Sequence, residues 1–183
     1  MSKLKLAKGF LISLGGLFSM VTLVSLIMPS TVVTTKSVVV QAERAKVEAI
    51  LFDFAQWKNW HPLFMRDSGS IRLSNPSYGV NAFAEWGTDH NRTRLVITNI
   101  LAESVGITLS HPGENDVKNM LSVLPVAGSK DLQVEWSAVT TLKWYPWEKF
   151  SGIFVSQLTG PGYEMALDNL KTYLEAGIIN PGN

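Results

Sequence analysis

The sequence predicts an α+β domain in which a curved antiparallel sheet of about seven strands wraps a long C-terminal helix. One N-terminal transmembrane helix precedes it. Three observations carry this expectation. Phe10 to Met28 is 19 residues without a charge. The middle of the chain holds short β-rich runs separated by turn residues, with no helical pattern between them. The last long stretch has one apolar stripe at helical spacing.

As a helix the N-terminal run is roughly 28 Å long at about 1.5 Å per residue, close to the bilayer hydrocarbon thickness of about 30 Å. Lys3, Lys5 and Lys8 precede it, which favours a cytoplasmic N-terminus. A cleaved signal peptide is the alternative. The run ends on the bulky Ile27 and Met28 where a cleavage site wants small residues, so an uncleaved anchor is favoured. The domain would then lie outside the cytoplasmic (inner) membrane, in the periplasm of a Gram-negative cell. The expected divisions are an anchor over 1–30, a domain over 31–177 and a short tail over 178–183.

"TVVTTKSVVVQ" is β-branched and reads as a strand. Val47, Ile50, Leu51 and Phe54 then fall on one helix face. A second short helical turn is expected from Trp57 to Phe64, with Pro62 near its end. "VNAFAEWG" alternates Val80, Ala82, Ala84 and Trp86 against Asn81, Phe83 and Glu85. Runs at "TRLVITNILAE", "SVGITLSH", "VKNMLSVLPVAG" and "LQVEWSAVTTLKWY" complete a meander, with Gly128 to Asp131 as a hairpin connection. The final helix is expected to open at Pro161, to carry Tyr163, Ala166, Leu167, Leu170 and Leu174 inward, and to stop at Gly177. A single amphipathic helix after such a sheet must lay its stripe on it. The space between them is the default small-molecule site.

The chain has 183 residues, 46% of them hydrophobic, and a net charge of +1. Of its 16 Lys and Arg residues three precede the apolar run, so 13 remain against 15 Asp and Glu. A weakly acidic body gives no footing for nucleic acid. There is no cysteine, which excludes disulfides, thiolate metal sites and cysteine nucleophiles.

The stretch "FDFAQWKNWHPLF" holds five aromatic rings, one histidine and one proline in thirteen residues. His61 is the one catalytic candidate, because Trp60 and Pro62 flank it and it can sit at a cavity mouth. No partner is fixed by spacing, so a structural role is favoured. His90 and His111 fall in polar turns, and the spacing of the three histidines matches no metal motif. Glu85 and Glu135 each precede a tryptophan on a strand. With Trp86 and Trp136 inward, both carboxylates face solvent. Trp144 and Trp147 lie in "LKWYPWEKFSGIF", between the last strand and the final helix. This segment either packs on that helix or, as an aromatic loop with Lys143 and Lys149, rests on lipid headgroups.

Three stretches carry a family resemblance: "VVVQAERAKVEAILFDFAQWKNWHP", "LQVEWSAV" and "GPGYEMALDNLKTYLE". Residues 32–176 resemble the SRPBCC superfamily, the START-like or Bet v 1-like helix-grip fold, and most closely its bacterial polyketide cyclase/dehydrase branch. Members of that branch often carry an N-terminal membrane segment. One departure is Glu43 after Ala42, where the branch commonly has proline. The resemblance implies an apolar or amphipathic ligand, lipid-like or polyketide-like, in the helix-grip cavity. It implies no cofactor and no metal. The candidate ligand-binding residues are Trp57, Trp60, Phe64, Trp86, Trp136, Tyr163 and Leu167. Binding is favoured over catalysis. The alternatives are a cyclase- or hydrolase-type enzyme without metal, with His61 or an inward carboxylate as acid/base, and an interaction module whose cavity is filled by its own side chains.

Overall fold

A computed structural model describes residues 3–176. The expected stop at Gly177 and the tail after it lie outside the described residues. The elements run α1 (Lys3–Ile27), β1 (Thr31–Val40), α2 (Arg44–Leu51), a 3-10 helix (Phe54–Asn59), α3 (Pro62–Asp67), β2 (Arg72–Leu73), β3 (Phe83–Thr88), β4 (Asn91–Ile100), β5 (Ser104–Ser110), β6 (Val117–Pro125), β7 (Leu132–Thr141) and α4 (Pro146–Glu175). The seven strands form one antiparallel sheet in the order β1-β7-β6-β5-β4-β3-β2. Strands β2 to β7 follow one another as a meander, and β1 closes onto β7. This is the helix-grip arrangement, with α4 as the gripped helix.

Alternation decides the two faces of the sheet. Ala84 of β3, Leu95 and Ile97 of β4, Leu121 and Val123 of β6, and Val134 and Trp136 of β7 are buried. From the helices, Val47, Ile50 and Leu51 of α2 meet Ala166, Leu167, Leu170 and Leu174 of α4 in the same core. The end of α4 is tied to the domain by Lys46, whose Nζ donates to the Leu174 carbonyl (3.1 Å), and by Glu175, which accepts from the Gln41 amide (3.1 Å). The first contact occupies a carbonyl that a helix C-terminus leaves open.

Gly87 closes the β3–β4 hairpin at φ +101, and a Cβ there would lie 2.3 Å from the Asn91 carbonyl oxygen. Gly87→Ala is therefore expected to cost about 1–3 kcal/mol, read as a drop in the denaturation midpoint. Gly128→Ala, where a Cβ meets no atom within 4 Å, shows how much of that is φ alone.

Two sequence expectations are corrected here. The final helix opens at Pro146 and not at Pro161, which sits inside it. An interior proline removes one helix hydrogen bond and crowds the preceding turn. The helix continues because it is held along β1 on either side of that point: a Cβ on Gly160 would be 3.3 Å from Lys36 Cε, and Lys36 pairs with Glu164 at 2.9 Å. Trp147 to Phe154 is thus helix, not loop. Pro62 likewise opens a helix, α3, and does not close one. The preceding 3-10 turn ends by itself at Trp60, after Asp53 has capped its start through the Ala55 amide (2.9 Å).

Candidate functional site

Trp57 and Trp60 come from the 3-10 helix and its end, Phe64 from α3, Trp136 from β7, and Tyr163 and Leu167 from α4. The short helices turn back across the mouth of the sheet, and their rings meet those of β7 and α4. Trp57 lies 5.1 Å from Trp60, 5.3 Å from Phe64 and 5.9 Å from Trp136, centroid to centroid. Tyr163 closes on Trp136 at 4.9 Å. Trp86 sits at the edge, 6.4 Å from Phe64. The seven candidates therefore form one neighbourhood. Most of them face each other: Trp57, Trp60, Phe64, Trp136 and Leu167 are all buried.

This packing fills the interval between sheet and helix with the chain's own rings. The three buried indoles differ in their polar ends. Trp57 Nε1 donates to the Leu51 carbonyl (3.0 Å), and Trp136 Nε1 to Asn119 Oδ1 (3.0 Å). Trp60 Nε1 is buried without a protein partner.

His61 stands at the rim of the cluster. Its ring stacks on Trp57 at 5.1 Å and 19°, and lies 5.8 Å from Trp136. Nδ1 is buried and has no hydrogen-bond partner. Burial lowers the imidazole to about 4, so it is neutral at pH 7. Burial also raises the Tyr163 phenol above its ordinary range. Trp136 touches both rings and bridges the two titratable groups.

Beside them, between α3 and α4, opens a groove of about 270 Å³ walled by His61, Pro62, Leu63, Thr159, Gly162, Tyr163 and Met165. Its volume lies just below the usual 300–1,000 Å³ of small-molecule sites. It fits one ring or one end of a longer molecule. A larger depression of about 770 Å³ lies at the Leu132 end of β7, between Gln41–Lys46 and Lys130–Leu132. It is flanked by charged side chains and borders the end of the described residues. The smaller groove carries the two titratable groups, His61 and Tyr163, and both of these pack against the buried Trp136. It is the candidate site.

Leu63, Thr159, Gly162 and Met165 escaped the sequence reading. Thr159 could have been found only by knowing that α4 begins before Pro161. Glu85 also differs from expectation. It lies on the outer face, opposite the core, but it is buried rather than solvated. Arg72 on β2 reaches it at 2.8 Å and Arg92 on β4 at 3.3 Å, with Arg94 at 4.0 Å. Arg94 also lies 4.2 Å above the Phe83 ring. Three guanidinium groups cover the carboxylate, so it is not available to the groove. His111 pairs with Thr93 (2.7 Å), far in the fold from His61. Among the described residues no cluster of His, Asp or Glu could hold a metal ion.

Residues 31–175 match the family model "Polyketide cyclase / dehydrase and lipid transport". The chain belongs to this family. Solved structures share its fold at low identity. A protein from Nitrosospira multiformis is 16% identical, with 81% of this chain and 100% of that one covered, at a TM-score of 0.60. A protein of unknown function from Staphylococcus aureus is 12% identical, covering 82% and 97%, also at 0.60. Norcoclaurine synthase from Thalictrum flavum, as a point mutant with a transition-state analogue, is 14% identical, covering 81% and 96%, at 0.57. Likeness at these identities shows the fold alone. No curated protein matches the chain significantly.

Proposed function

We propose that this family member is a membrane-anchored, extracytoplasmic binding protein for a hydrophobic or amphipathic small molecule, lipid-like or polyketide-like. The carrying observation is the groove between α3 and α4, walled by Pro62, Leu63 and Met165 with two polar groups, His61 and Tyr163, that pack against Trp136. Apolar walls supply affinity, and a few polar groups set orientation. The filled interior confines the ligand to the groove, so the site takes an end of a molecule and not a whole sterol-sized body. α1 supports the anchor. Ala7–Ile27 has the length and hydropathy of a span, and 6% of it is buried against the protein.

His61 serves binding better than catalysis. An imidazole lowered to about 4 is unprotonated at pH 7 but a weak base. General-base work at neutral pH wants a pKa near 7. A neutral ring can still offer a hydrogen bond to an alcohol or carbonyl.

Gly162 tests the site. It lines the groove, and a Cβ there meets nothing within 4 Å. Gly162→Phe should fill the groove and leave the fold intact, since replacing a helix-interior glycine favours the helix by up to about 1 kcal/mol. Native mass spectrometry of the full chain in mild detergent, with organic extraction, is expected to show a bound amphipathic molecule in the wild type and none in the variant. Equal occupancy in both would overturn the assignment of the groove.

A further inference from the structure

The first half of α4 turns an apolar face away from the protein. Trp147, Phe150, Ile153, Phe154 and Leu158 are all exposed, Leu158 to 79%. Residues 147, 150, 154 and 158 recur at i, i+3, i+7 and i+11, one stripe of a helix. The stripe runs on through Pro161 to Met165, which is a wall of the groove. The exposure is not a sequence accident spread over a charged surface, because no charged residue occurs from Phe150 to Tyr163. A solvated helix of four turns normally carries several charges. A contiguous apolar face of this size marks a partner or a membrane.

The opposite face is fixed to the end of α1. Lys149 is buried, and its Nζ lies within hydrogen-bond distance of the Met28 carbonyl (3.4 Å) and Ser30 Oγ. One of the two alternatives for this segment placed Lys149 on lipid headgroups. Instead it points inward and holds the exit of α1. Gly152 seats beside Leu142, and α1 packs against α4, where Ser25 is fully buried and Val21 and Thr22 half-buried. Met28, Lys149, Gly152 and Ile153 border one crevice.

This contact sets a depth. The 21 residues of Ala7–Ile27 rise about 31 Å, matching a hydrocarbon core of about 30 Å. Ser25 then lies about 3 Å inside the boundary, and Val21 about 9 Å. Whatever packs on them is at the level of the interface. We infer that the first half of α4 lies in the interface of the bilayer that α1 crosses, with its Trp147-to-Leu158 face among the lipid chains. The groove then opens at the lipid surface, and its ligand enters from the leaflet without crossing water. The inference rests on α1 being a span and deepens the proposed function by naming the source of the ligand. Having no exposed charge on this face, the helix is held by apolar burial, so zwitterionic lipid suffices.

The chain has no cysteine, so single spin labels report position directly. Four variants of the full chain, Leu14→Cys, Phe154→Cys, Leu158→Cys and Lys130→Cys, are labelled in phosphatidylcholine vesicles. Collision rates with oxygen and with a water-soluble nickel chelate are measured. Lys130 is exposed on the β6–β7 hairpin, at the end of β7 remote from Thr31. The inference expects oxygen to exceed nickel at 14, 154 and 158, and nickel to exceed oxygen at 130. Depths of about 5–10 Å are expected at 154 and 158. Lipid-like values at 14 with water-like values at 154 and 158 would overturn the interfacial helix and leave the span standing. Water-like values at 14 would remove the span and the inference with it. Spin–spin broadening at 154 and 158 with low access to both reagents would mean a second copy covers the face, and would overturn it too.

Discussion

Trp57→Ala is expected to lower the unfolding free energy by about 3–5 kcal/mol, the range for truncating a buried aromatic. Domains of this size have about 5–15 kcal/mol in all, so the variant sits near the edge of folding. The magnitude follows from the position. Trp57 is 1% exposed and lies within 6 Å of the rings of Phe54, Trp60, His61, Phe64 and Trp136. Alanine would leave a void bordered by five rings from three elements, which cannot all close on it. It would also strip the Leu51 carbonyl of its indole donor. Thermal or urea unfolding of the full chain in mild detergent measures the loss. Trp57→Phe, which keeps a ring, should lose clearly less. A Trp57→Ala variant that unfolds within about 1 kcal/mol of the wild type would mean that the interior is loose. The ligand would then have room between sheet and helix, and the groove assignment would lose its basis. This separates two kinds of residue within one neighbourhood. Trp57, Trp60 and Trp136 act through stability. Gly162 and Met165, on the groove wall, act through what the groove holds.

The division explains what could be read from the chain alone. Periodicity names the inward face of an element, and it did so for Val47, Ile50 and Leu51, for Ala84 and Trp136, and for Ala166, Leu167, Leu170 and Leu174. It does not say how far apart two inward faces stand. Whether the tryptophans line a space or fill it depends on how closely the short helices return to β7, which no single element encodes. Glu85 shows a related limit. Alternation places it on the outer face, yet its burial arises from Arg72 opposite it on β2 and Arg94 opposite it on β4. That pairing is a matter of register across three strands. The start of α4 was hidden by a duplicate signal. Pro146 and Pro161 each precede a helical run, and only the packing of Gly160 on β1 shows that the first opens the helix and the second lies within it.

Lowering the pH from 7 to 4 should destabilise the wild type by about 3 kcal/mol more than it destabilises His61→Phe. In the unfolded chain His61 takes up its proton near 6.5, and in the folded domain near 4. Between these values the unfolded state binds more protons, so acid pulls the equilibrium toward it. The neutral ring's contribution is fully present above about 6.5 and is lost as pH falls through 4. A separation of about 2.5 pH units, at about 1.4 kcal/mol each, sets a ceiling of about 3.5 kcal/mol, of which about 3 is lost by pH 4. The cause is desolvation: the rings of Trp57, Trp60, Phe64 and Trp136 surround the imidazole, and none can carry a counter-charge. Phenylalanine keeps the stacking on Trp57 and cannot be protonated. Carboxylates elsewhere titrate alike in both proteins, so the difference between the two pH profiles isolates His61. Parallel profiles would mean that water or a rotated ring already serves His61 in the folded state. The groove would then be more open to water than its apolar walls imply, and a ligand's apolar end would gain less by entering it.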